Sequence, residues 1–162
     1  MIQRLLPFLT LAALFVALCI ASPHFLTSTN LSSVARQTAV INIMALGMTI
    51  IIIAGGIDLS VGSILAMGGL LGTMTMEKGF PIPVGVAVGI CAGMFWGFAN
   101  GFATTKLRIN PFIVTLRTLG IVRGLALIIS NGLPVHRIPA GFSFLGEGNL
   151  LKVPFVLWIL LV

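Results

Sequence analysis

Of the 162 residues, 58% are hydrophobic and only 7% are charged, with a mean hydropathy of +1.18, whereas a soluble domain carries about 25% charged residues. This balance excludes a water-soluble globular chain and makes the lipid bilayer the first partner. The formal net charge of +6 does not indicate nucleic acid, because the Lys and Arg residues stand singly between apolar runs and are not interleaved with aromatics.

The first apolar run, Leu5 to Ala21, follows Arg4 and precedes "SPHFLTSTNLSSVARQ". It fits either a signal peptide or a first span, and the further spans downstream favour an uncleaved span. A second span is predicted from Ala39 to Gly55, a third from Ser60 to Met76, and a fourth from Val84 to Ala103 after the turn "EKGFPIP". A fifth begins at Pro111, whose missing N–H suits a first helical turn, and continues to Ser130. A polar loop from Asn131 to Val153 follows, and Phe155 to Val162 starts a sixth span. Eight residues reach only about 12 Å, so the sequence is expected to be a truncated piece of a longer one.

The expected fold is therefore an all-α integral membrane bundle of about five complete helices plus the start of a sixth, in one domain over residues 1–162. Arg4 and Lys106 are expected on the cytoplasmic side, and the Asn131 to Val153 loop outside. Positive charge supports this orientation weakly, because Arg36, Lys78, Arg137 and Lys152 then fall outside.

Polar and small residues inside the spans carry the functional signal. Gly85, Gly89, Gly93, Gly97 and Gly101 recur every four residues along the fourth span, a small-residue ridge that lets another helix backbone approach. Gly68 and Gly72 repeat the pattern on the third span. Between the second and third spans, "GGIDLSVG" sets Asp58 in the most apolar part of the chain. A carboxylate on a lipid-facing helix costs about 3 kcal/mol at midplane, so the helix is expected to break here. Gly55 and Gly56 can end the second span, and Asp58 or Ser60 can cap the third. The break is either a capping hairpin at the cytoplasmic surface or a deeper feature lining an aqueous path. Arg123 lies about 18 Å into the fifth span, and Asp58 is the only carboxylate in or beside the spans; Arg123 either pairs with it or reaches the outer interface.

Cys19 and Cys91 stand alone in apolar runs, and His24 and His136 lie in outer segments. No metal site, cofactor, nucleophile or general-base constellation is expected, and "GGIDLSVG" lacks the lysine and glycine spacing of a phosphate loop. Broken helices with intramembrane charge are equally native to ion-coupled secondary transporters and channels, which stand as an alternative class.

The segments "GMTIIIIAGGIDLSVGS" (Gly47–Ser63), "NGFATTKLRINPFIVTL" (Asn100–Leu116) and "RGLAL" (Arg123–Leu127) resemble, in order and separation, the ribose-type sugar permeases of bacterial ABC importers. The resemblance covers most of the chain. It implies a multi-pass inner-membrane subunit without enzymatic activity that pairs with a second permease subunit, the same or homologous. A separate ATP-binding subunit would dock inside and a periplasmic sugar-binding protein outside. It also marks Gly55, Gly56, Asp58, Ser60, Gly62, Ser63, Asn100, Pro111, Thr115 and Arg123 as motif or translocation residues. Arg117 stands where the family has a small residue. The branched-chain amino acid permeases are the nearest related alternative.

Overall fold

The computed structural model describes residues 2–151 and 153–160, with side chains from Leu5 to Ile159 except residue 152. The side chain of Arg4, the whole of Lys152 and the end of the sixth span at residues 161–162 lie outside the described residues. The order is α1 (Ile2–Ala21), α2 (Ser28–Ile53), α3 (Val61–Glu77), α4 (Ile82–Thr105), α5 (Pro111–Ser130), α6 (Ala140–Glu147), β1 (Asn149–Leu150), β2 (Val153–Pro154) and α7 (Phe155–Leu160). Among the described residues, α2, α4 and α5 are long and apolar enough to cross a membrane by length and composition. The apolar part of α1, Leu5–Ala21, is shorter, and α3 has 17 residues.

The second helix begins at Ser28, eleven residues before the expected Ala39. The reason is a cap: the Thr27 hydroxyl accepts a hydrogen bond from the Asn30 N–H at 3.3 Å, and the Asn30 amide donates to the Phe25 carbonyl at 2.7 Å. The Ser, Thr and Asn residues that suggest a loop therefore form the first turns of a 26-residue helix, about 39 Å long and longer than a 30 Å hydrocarbon layer. Arg36 lies in this protruding part and donates to Asn149 Oδ1 at 3.1 Å.

At its other end α2 stops in a Schellman motif. Gly55 takes φ +79°, its N–H donates to Ile52, and the Gly56 N–H donates to Ile51, both at 2.9 Å. Glycine accepts this left-handed backbone without the Cβ penalty.

The core joins α3, α4 and α5. Met67, Val122 and Ala126 are buried together, with Ile64, Leu70, Leu71 and Trp96 packed around them. α3 and α4 meet backbone to backbone at two glycine pairs. A Cβ built on Gly68 would lie 2.9 Å from the Gly89 carbonyl oxygen, and one on Gly72 would lie 2.8 Å from that of Gly85. α2 packs instead on α7 and β2.

The expected loop from Asn131 to Val153 is built: it holds α6 and the antiparallel β1–β2 hairpin, with Leu150 paired to Val153. This hairpin is the one correction to an all-helical reading among the described residues. α6 sits near the C-terminal end of α3 and the N-terminal end of α4, where Phe142 shares a groove with Met44, Gly72 and Gly85.

Candidate functional site: a helix break joined to two neighbouring helices

Asp58 caps α3. Its Oδ1 accepts from the Ser60 N–H at 2.7 Å and from the Ser60 hydroxyl at 2.5 Å, satisfying a donor that the first helical turn leaves free. A carboxylate at a helix N-terminus also meets the positive end of the helix dipole, worth about 0.3–1 kcal/mol.

Ser60, the residue before α3, makes no side-chain cap of its own and connects further. Ser60 is fully buried, and its Oγ accepts from the Asn100 amide of α4 at 2.9 Å. The Asn100 Oδ1 in turn accepts from the Thr118 hydroxyl of α5 at 2.6 Å. Thr118, Asn100, Ser60 and Asp58 thus form a one-directional chain, each donor pointing toward the carboxylate. One step away on α5, the Thr115 hydroxyl donates to Pro111 at 2.9 Å and lies 3.2 Å from the Ile57 carbonyl in the break. The buried Ser60, Asn100, Thr115 and Thr118 side chains all find partners, as the interior of a membrane bundle requires.

This chain sets the level of Ser60 against α4 and α5. Asn100 lies five residues before the end of α4 and Thr118 seven residues past the start of α5, or roughly 8 and 10 Å along their axes. Ser60 is therefore level with a point about one and a half turns inside the end of α4 and two turns inside the start of α5, while Gly56 lies against Pro111 at the start of α5. Because α3 starts late, it leaves a cavity of about 400 Å³ below its first turn. The cavity is lined by Ile51, Ala54, Gly56, Ile57 and Asp58 of the break, by Gly97, Asn100, Gly101, Thr104 and Thr105 of α4, and by Pro111 and Thr115 of α5.

The motif residues are not all at this site. Gly62 is exposed with nothing close to it, and Ser63 is buried on α3. Arg123 is exposed and borders a separate space with Ala66, Leu70, Ala126 and Ser130. It is not brought to Asp58, because the break meets the first turns of α5 at Thr115 and Arg123 lies farther along α5; of the two readings of Arg123, the ion pair is the one the structure does not form. Arg117 is exposed and off the packed face.

The glycine ridge divides. Gly85 and Gly89 meet the α3 backbone, and a Cβ on Gly93 would reach only Ile64 at 3.9 Å. Gly97 and Gly101 have nothing within 4 Å among the described residues, so neither belongs to the α3–α4 contact. A four-residue step overshoots each turn by about 40°, so the stripe rotates out of the α3 interface toward the cavity.

Sequence reasoning missed Thr118 and Thr104. The available signal was the Thr115/Thr118 pair at i, i+3, which puts two hydroxyls on one face of an apolar helix.

Asp58→Asn is expected to cost under about 1 kcal/mol, because Asn caps nearly as well through its own oxygen. Arg123→Gln is expected to add to it without coupling, as separated sites do. A thermal melt of the four variants in a double-mutant cycle checks this, and rescue of Asp58→Asn by Arg123→Gln would restore the ion pair to the account.

The family model described as "Branched-chain amino acid transport system / permease component" matches residues 30–161. The ribose import permease protein of Bacillus subtilis strain 168 is 36% identical over 98% of this chain and 53% of its own length. That of Escherichia coli K12 is 37% identical over 93% of this chain and 49% of its own length. The L-arabinose transport system permease protein of the same strain is 36% identical over 91% of this chain and 45% of its own length. The chain thus spans about half the length of the curated relatives it matches. No solved structure matches.

Proposed function

The chain belongs to the branched-chain amino acid transport system / permease component family, and from that premise we propose that it is the N-terminal portion of the membrane-spanning permease of a bacterial ABC-type sugar importer. α1 and α3 then cross the inner membrane together with α2, α4 and α5, giving five spans, with α7 opening a sixth. Lys106 and Arg108, both exposed in the α4–α5 turn, face the cytoplasm, and the segment carrying α6 and the hairpin faces the periplasm. An ATP-binding subunit, a second permease subunit and a periplasmic sugar-binding protein complete the importer, and ATP hydrolysis takes place outside this chain.

The observation that carries the reading is the break below α3. Beside it an acidic side chain, an amide and three threonines line a half-open cavity between the end of α2, α4 and the start of α5. Irregular backbone within a membrane is tolerated where it is buried or lines water, and such breaks sit on transport paths. The names of the relatives favour a pentose as cargo. The family description favours a second cargo, a branched-chain amino acid.

Uptake by the full-length permease in a permease-deleted strain separates these readings. Labelled D-ribose or L-arabinose is expected to accumulate only with an intact ATP-binding subunit and to be indifferent to excess L-leucine. Accumulation that survives loss of the ATPase and collapses with the ion gradient would replace the importer with an ion-coupled transporter. For topology, a membrane-impermeant thiol reagent added outside intact cells is expected to label a cysteine at Gly146 and to miss one at Lys106; the reverse would invert the orientation.

A further inference from the structure

The break cavity has a shape set by missing side chains. Gly97 and Gly101 line it, and a Cβ on either would enter open space. Among the described residues neither glycine meets another backbone, and neither has a left-handed backbone, whereas Gly85 and Gly89 are held against α3. In a helix interior each glycine costs about 1 kcal/mol relative to alanine. Their absent side chains keep the cavity at about 400 Å³, within the roughly 300–1,000 Å³ typical of small-molecule sites.

The wall presents acceptors. Asp58 is bonded through Oδ1, by Ser60. The Thr104 hydroxyl donates to the Asn100 carbonyl at 2.9 Å, and the Thr115 hydroxyl donates to Pro111. Each hydroxyl has spent its proton on its own helix and keeps oxygen lone pairs for a ligand. A ligand rich in O–H donors complements such a wall, while an aliphatic side chain would leave its polar groups unpaired.

We propose that this cavity is a passage subsite for a polyhydroxylated cargo of pentose size, and that Gly97 and Gly101 are glycines because the cargo occupies the space their side chains would fill. The proposal rests on the sugar-permease reading and adds to it the place where the cargo lies and the residues that make room for it. The four-residue ridge of α4 then has two roles: its first half packs helices and its second half clears a path.

The test uses the full-length permease in membrane vesicles, with Cys19 and Cys91 replaced by serine. Gly97→Cys is expected to react with a charged, water-borne thiol reagent at least about tenfold faster than Phe98→Cys, whose parent side chain is 72% exposed on the outer face of α4. Saturating D-ribose or L-arabinose is expected to slow the Gly97→Cys reaction at least about threefold, and Gly97→Leu to lower uptake about tenfold or more at an unchanged membrane level. Equal labelling at the two positions, or labelling that no pentose slows while wild-type uptake is intact, overturns the inference alone. Protection by L-leucine and not by pentoses overturns the polyol assignment. Wild-type vesicles that take up neither sugar sink the sugar-permease reading and the inference together.

Discussion

Leucine at Gly89 is expected to abolish assembly of the helix bundle. The Cβ of any residue at this position would lie 2.8 Å from the carbonyl oxygen of Gly68, and one at Gly68 would lie 2.9 Å from that of Gly89. The atom in the way is backbone on each side, so no rotamer change relieves the clash and α3 must move off α4. One turn away, Gly72 and Gly85 are locked in the same manner, at 2.8 and 2.7 Å. Overpacking an ordinary core costs about 1–3 kcal/mol, and here a whole isobutyl group meets a backbone–backbone contact, so more than about 3 kcal/mol is expected. Without a hydrophobic drive between helices in lipid, close packing of small residues is much of what holds them together. Size-exclusion profiles of detergent-solubilised protein should show Gly89→Leu aggregated and Gly101→Leu monodisperse, since the latter position faces open space. A monodisperse Gly89→Leu with an unshifted melting temperature would remove the α3–α4 glycine contact from the account.

The second large effect is expected at Asn100, whose side chain bonds to both Ser60 before α3 and Thr118 of α5. Asn100→Leu removes the donor to Ser60 and the acceptor of Thr118 together; Ser60, 0% exposed, keeps its bond to Asp58, while the Thr118 hydroxyl, 8% exposed, loses its partner. An unsatisfied buried donor costs about 1–3 kcal/mol, and a loss of that size is expected. Asn100→Asp keeps the shape and is expected to be at least as harmful. An aspartate accepts from Thr118 but has no N–H for Ser60, and the single Ser60 proton cannot serve two carboxylates. A second buried charge with no cation beside it adds its desolvation. Thermal melts of both variants check this; an Asn100→Asp protein as stable as the wild type would show that the amide is not the hub of the chain of hydrogen bonds.

Much of this architecture could be read from residues alone. The apolar runs located the helices. Gly55, Gly56 and Asp58 announced a helix end followed by a capped start, because left-handed glycine and an acidic cap are local chemistry. The start of α2 was hidden, since Ser28 to Ser33 is rich in Ser, Thr and Asn and looks the same as a loop. The glycine ridge was legible as a period, but the point where it leaves α3 depends on where the two helices cross, which is a tertiary fact. The Asp58–Arg123 pair failed for the same kind of reason. Charge complementarity suggested it, and the axial register between α3 and α5, which no local pattern encodes, keeps the two apart. Thr118 was missed because one threonine in an apolar helix commonly bonds only to its own backbone.

The central claim is that the break after α2 sits inside the bundle against the first turn of α5. A disulfide tests it most directly, because a Cβ on Gly56 would lie 3.9 Å from the Cβ of Pro111, within the roughly 3.5–4.5 Å that a disulfide bridges. Full-length permease carrying Gly56→Cys and Pro111→Cys, with Cys19 and Cys91 replaced by serine and a protease site placed in the α3–α4 turn, is oxidised in the membrane and then cleaved. The account predicts two fragments that stay joined until a reductant is added. Fragments that separate without a reductant, while the uncleaved protein remains folded and in the membrane, would place the break away from α5 and contradict it.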